Sequence, residues 1–161
     1  MLSTEENLRQ ELGSFSSIVC LKAIITGVEE ALGEKAAAIA MIAAGRKRGK
    51  QLAAALKLSG QSERMSLEQV TEKANEHLGK DGTRLCLIDK IVPIEEGYQV
   101  YTRETICSSG EEQGSPRTCT YTLGVLQGFL EEFLGKRLRG TQIASVLRNG
   151  THDVLEYRIL G

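Results

Sequence analysis

Tryptophan is absent from the sequence, and aromatic residues make up only 4% of it. Stacking platforms for bases are therefore scarce, and the core has to be built from Leu, Ile, Val and Ala. Excess charge of either sign is also missing: 20 Lys and Arg stand against 21 Asp and Glu, a net charge of -1. That balance offers no global attraction to a polyanion, so nucleic acid is not expected as a partner. No apolar run is long enough for a transmembrane segment. AAAIAMIAAG at 36–45 is bounded by Lys35 and Arg46 and reaches about half of a bilayer span. The first residues, MLSTEENLRQEL, lack the basic start and apolar stretch of a signal peptide. Cysteines 20, 86, 107 and 119 form no C-x-x-C pair and do not have the dense spacing of a secreted disulfide scaffold. The expectation is a soluble cytoplasmic protein with its thiols reduced.

Reactive constellations are equally scarce. The chain contains no G-x-S-x-G, no P-loop and no G-x-G-x-x-G. His77 and His152 lie far apart, without an acidic orienter at fixed spacing, and are expected on the surface. Glu131 and Glu132 are adjacent; on a helix they diverge by about 100° and make a poor acid–base pair. They are expected to face water or a basic partner. No catalytic residue, metal or cofactor is expected, and the chain reads as non-enzymatic.

What is present is a regular alternation of patterns. A chain of 161 residues suits one domain that buries roughly 70% of its unfolded surface; residues 1–15 read as a loosely ordered extension. Ile18, Leu21, Ile25, Val28 and Leu32 form a helical stripe closed by Gly33. Residues 34–57 are alanine-rich and proline-free, which predicts a long helix whose first half, apolar all round, should be deeply buried. Ser66 and Gln69 have the spacing of a capping box ahead of a shorter helix. RLCLIDKIVPI and YQVYTRETIC, separated by EEG at 95–97, read as a hairpin. Ser115 and Pro116 have the chemistry of a helix start, and Gly135 that of its end. Two further β-prone runs flank Asn-Gly-Thr-His at 149–152. Strands in antiparallel pairs, not alternated with helices, imply an α+β fold with helices on one face of a small antiparallel sheet.

Glycines in the helices are the unusual feature. Gly124 and Gly128 share one helix face, and Gly45 and Gly49 repeat the spacing on a ridge with Ala37, Met41 and Ala53. Each costs about 1 kcal/mol relative to alanine, so a close approach must compensate. Either two helices pack tightly in one core, or the missing side chains leave room for a ligand or a partner helix.

The runs GVLQGFLEE at 124–132 and AGRKRGKQLAAAL at 44–56, with the terminal turn and EYRI strand, resemble four-vinyl-reductase domains, also called hydrocarbon-binding domains. They are equally similar to the Bet-class subunits of the transport protein particle that tethers Golgi vesicles, which share that fold. The resemblance spans roughly residues 16–160. It implies a domain that dimerises through its helices and encloses an apolar tunnel for acyl chains, aromatic hydrocarbons or similar molecules. Some relatives are linked to bacteriochlorophyll synthesis or photosystem assembly. On this basis the ligand pocket is expected at Ile39, Ile42, Gly45, Gly49, Cys119, Leu123, Gly124, Leu126, Gly128, Phe129 and Leu130. The expected partners are a small hydrophobic molecule, a second copy of the chain and a further protein. The alternative is an assembly or tethering subunit. A reductase of tetrapyrrole vinyl groups is the remote reading, since it needs an electron donor.

The sequence also departs from these relatives. Zinc-holding members place a cysteine where Cys119 stands, but Ala144, Leu147 and Leu155 fall where the other ligands would be, short of the four that a closed site needs. Bet-class subunits carry an acyl group on a cysteine after the long helix, and SGQSERMS at 59–66 contains none. Cys119 itself is read either as a thiol activated in a first helical turn or as a buried small hydrophobe. Cys20, Cys86 and Cys107 are read as core positions. The basic run GRKRGK at 45–50 suits a solvated face or dimer rim, or contact with an anionic lipid surface.

Overall fold

A computed structural model of the protein describes residues 9–161. The extension expected at 1–15 therefore falls in large part outside the described residues. Helix α1, Ile18–Leu32, begins where Ser17 Oγ accepts the Val19 N–H at 3.1 Å. It ends at Gly33, whose φ of 82° turns the chain directly into α2, Glu34–Ala55. Helix α3, Leu67–Leu78, opens with the capping box predicted from Ser66 and Gln69, each side chain bonding the other's backbone N–H. Strands β1, Leu87–Ile94, and β2, Gly97–Arg103, form the expected hairpin. Helix α4, Tyr121–Leu134, stops at Gly135, left-handed at φ 67°. β3, Leu138–Ala144, and β4, Asp153–Ile159, follow, with a short 3₁₀ turn at Val146–Arg148 between them.

The four strands are antiparallel throughout, in the order β1-β2-β4-β3. The last strand thus inserts beside β2, with Val100 opposite Leu155 and Tyr98 opposite Tyr157. Val100, Leu155, Tyr157 and Leu138 point into a core shared with the helices. Polar clamps fix helix to sheet. Asn75 on α3 bonds both the N–H and the C=O of Ile88, Gln127 on α4 donates to Leu138 O at 2.9 Å, and Tyr157 OH donates to Leu123 O at 2.7 Å. The fold is α+β, as its element order implied.

Three expectations need correction. The last helix begins at Tyr121, not Pro116, because residues 115–120 are held out of the helix by tertiary bonds: Gln142 accepts the Cys119 N–H at 2.7 Å, and Arg148 donates to Ser115 O and Arg117 O. Cys107 and Cys119 are joined in a disulfide with Cα atoms 5.1 Å apart, so neither is a free thiol, and Cys20 is exposed on α1. The first half of α2 is not deeply buried: Ala37 is enclosed, but Ile39 is 73% exposed, and Ala36, Ala40, Ala43 and Ala44 face outward. Of the two surroundings expected for Glu131, water and a basic partner, it has the second. It is buried, and Arg46 grips both its oxygens at 2.5 and 3.0 Å.

Candidate functional site

The glycines resolve into a seam. A methyl placed on Gly45 would overlap Tyr121 O, and one on Gly49 would overlap Val125 O. On Gly124 it would overlap Ile42 O, and on Gly128 Arg46 O. The two helices therefore meet backbone to backbone, in the geometry that lets a glycine Cα–H face a carbonyl across the interface. The tight-packing alternative accounts for all four positions. The Arg46–Glu131 fork closes one end of this seam, and Glu131 also accepts the Leu138 N–H at 3.0 Å, joining α2, α4 and β3. Glu132 on the same helix instead accepts a bond from Ser59.

The residues expected to line a pocket fall in or beside this seam. Leu123, Leu126, Phe129 and Leu130 are core residues, Ile42 packs partly buried against the core, and Ile39 looks outward. The glycines fill the seam, and Cys119 is spent in the disulfide. None of the eleven borders the apolar cavity that the structure does contain.

That cavity lies to one side of the seam and measures about 270 Å³. Phe15, Ile18, Leu21 and Ile24 wall it from the first helix and its lead-in, Leu78 from the end of α3, Leu85 from the segment that follows, and Tyr121 and Val125 from α4. Thr83, Cys20 and serines 14, 16 and 17 supply small polar groups, and Arg48 on α2 is its one charged member among the described residues. The Tyr121 hydroxyl is held above its usual pKa chiefly by burial, with the positive charge of Arg48 acting in the opposite direction. A wider cleft of about 1030 Å³ meets the cavity at residues 15–18 and Thr83. Its remaining wall is mainly polar, with Lys80, Asp81, Arg84, Glu104 and Ser108. Ligand sites are mostly apolar concavities with a few convergent polar groups, so the smaller cavity is the better candidate despite its size.

Two polar clusters were not legible as sites. Asp153 is fully buried and accepts bonds from Thr105 at 2.7 Å, Ser108 at 2.6 Å and the Val146 N–H at 3.1 Å. It pins the start of the long β2–α4 connection. Nearby, burial pushes the Cys86 thiol up to about 12, with the Asp153 charge adding to the effect. On the outer sheet face, His152 does have an acidic partner: Nε2 lies 2.7 Å from Asp89, and Thr151 Oγ1 is 2.9 Å from Nδ1. Arg103 grips both Asp89 oxygens and is the main cause of that carboxyl's lowered pKa, the His152 bond acting the same way. The relay borders none of the principal cavities, which leaves it a surface clasp.

The connection from β2 to α4 is tied to α1 as firmly as to the sheet. Lys22 donates to the carbonyls of Ile106, Cys107 and Ser109 and pairs with Glu111 at 3.0 Å. Arg117 bonds both Glu29 oxygens, at 2.8 and 2.9 Å, and also contacts Glu111. Burial raises the Glu111 pKa, but Lys22 and Arg117 outweigh it and hold the carboxyl below its usual range. The cavity wall formed by α1 is anchored by these bonds.

The chain matches no protein-family model, and no curated protein is significantly similar to it in sequence. Solved structures do share its fold. The phenol-responsive sensory domain of the transcription activator PoxR, solved with phenol, aligns at a TM-score of 0.67 with 12% identity over 91% of this chain and 76% of that one. Trafficking protein particle complex subunit 3 from Naegleria fowleri, covalently bound to palmitic acid, aligns at 0.55 with 14% identity over 89% and 93%. At such identities the likeness establishes the fold: helices on a four-stranded antiparallel sheet, as in transport-particle subunits. No helix among the described residues is long and apolar enough to cross a membrane.

Proposed function

We propose that this protein is a non-catalytic binding domain that takes a small hydrophobic molecule into the cavity beneath α1 and relays its occupancy to a protein partner. The carrying observation is the cavity itself, apolar on three sides and about 270 Å³ in volume. Engineered apolar cavities of about 150 Å³ already accept benzene. The two structural neighbours, one solved with phenol and one with palmitic acid, support the use of this fold for apolar ligands. Within this reading the chain acts as the hydrocarbon-binding modules do and not as a vinyl reductase, and the exposed apolar residues of α1 and α2 serve a homodimer. Calorimetric titration with 1-octanol tests the reading. Saturable one-to-one binding is expected, and Ile24→Trp, which fills the cavity from an already exposed position, should abolish it. Absence of saturable binding, or binding unchanged by Ile24→Trp, overturns the proposal.

The exposed face of α1 and α2 favours a second reading, an assembly subunit whose cavity is structural. That reading predicts the same partner recovery from protein loaded with 1-octanol and from empty protein. A ligand-relaying module predicts that the two forms differ.

A further inference from the structure

Resting on the reading that the cavity binds a small apolar molecule, its wall carries a more specific chemistry. Among the described residues Arg48 is the only charged side chain on it, and no carboxylate shares that wall. Arg46 two residues earlier is neutralised by Glu131 and Arg117 by Glu29, whereas Arg48 makes no hydrogen bond or ion pair among the described residues. The positions one turn away along α2, Ala44, Gly45, Gln51 and Leu52, hold no negative charge. Lys47 and Lys50 add positive potential nearby without bordering the cavity. Tyr121 stands within the electrostatic reach of Arg48, and its hydroxyl likewise has no hydrogen-bond partner among the described residues. An exposed arginine and a half-buried tyrosine, both with unused donor capacity, therefore border the same apolar hollow.

We infer that the natural ligand is a small monocarboxylic acid, its apolar body between Leu21, Leu78, Leu85 and Val125 and its carboxylate received by Arg48 and Tyr121. A planar guanidinium matches a carboxylate fork by fork, which a neutral hydrocarbon cannot exploit. The volume of about 270 Å³ limits the body to a substituted ring or a short acyl chain, since about 150 Å³ holds one benzene. A long-chain acid would have to leave its tail in the adjoining cleft.

The test compares two probes of equal length on the intact protein, octanoate and 1-octanol, by calorimetry at neutral pH and low salt. Octanoate should bind at least about fivefold more tightly, because a charge-assisted bond is added at a partly exposed site. Added salt should narrow that gap. Arg48→Gln should erase the preference, so that octanoate binds the variant no more tightly than 1-octanol does. Equal affinity for the two probes, or a preference that survives Arg48→Gln, overturns this inference while the cavity reading stands. Failure of both probes to bind overturns the cavity reading itself.

Discussion

At the scale of single residues, the most consequential pair is Arg46 with Glu131. Glu131 is only 2% exposed at its side chain, whereas Arg46 is about a third exposed. The hydrogen bond to Glu131 is the main cause of the raised Arg46 pKa. Removing one partner of a buried pair costs about 3–5 kcal/mol because a charge is stranded; the water that reaches Arg46 should lower this to about 2 kcal/mol. Arg46→Ala is therefore expected to lower the unfolding free energy by that amount, read from a urea titration. Adding Glu131→Gln keeps an acceptor for the Leu138 N–H while removing the stranded charge, so the double variant should regain about 1 kcal/mol. A double variant less stable than Arg46→Ala would show that Glu131 is held by something other than its guanidinium. The basic run GRKRGK conceals this division of labour: one arginine is structural, another looks into a cavity, and nothing in their spacing tells them apart.

At the scale of elements, the glycine seam replaces side-chain packing with backbone contact. Alanine is the better helix former by about 1 kcal/mol, so Gly27→Ala on α1, where a methyl meets nothing within 4 Å, should stabilise the protein by up to that amount. Gly128→Ala should do the reverse. Its methyl would overlap Arg46 O, and backbone cannot step aside as a flexible side chain can, so overpacking of about 1–3 kcal/mol should outweigh the propensity gain. Opposite shifts in the thermal midpoint are the readout; equal gains would mean that the helices can part without cost. Sequence reading succeeded where the signal was local. The Ser66–Gln69 box, the ends at Gly33 and Gly135 and the hairpin at 95–97 each depend on neighbours within a few residues. It failed at Pro116 because the irregular path of 115–120 depends on Gln142, Arg148 and Cys107, none of which is adjacent in the chain. The cavity was missed for the same reason. Its wall is gathered from α1, α2, α4 and the turn after α3, and only the seam beside it carries a periodic signature.

At the scale of the whole molecule, the long α2 divides its two faces between different tasks. One face, through Ala37, Gly45, Gly49 and Ala53, is sealed against α4. The other leaves Ile39 in water, and α1 continues the exposed apolar surface with Val19, Ile24 and Leu32. Hydrophobicity all round a helix predicts deep burial, but it fits equally a helix that packs one face and leaves the other exposed. Single exposed apolar residues need no explanation; four large ones on two consecutive helices are the surface on which a second copy is expected. We expect the protein to be a dimer through this face in solution, measured by light scattering on a sizing column. Ile39→Glu should yield monomer with an unchanged circular dichroism spectrum, because position 39 contributes nothing to the core and a charge there costs stability only in the interface. A wild type that is monomeric at tens of micromolar, or an Ile39→Glu dimer, would return this face to solvent. The outcome also bears on the cavity, since Ile24 and Phe15 belong both to its wall and to the exposed surface. A partner covering α1 would close the mouth over a bound acid, and the affinity of octanoate should then rise with protein concentration. In a monomer it should not.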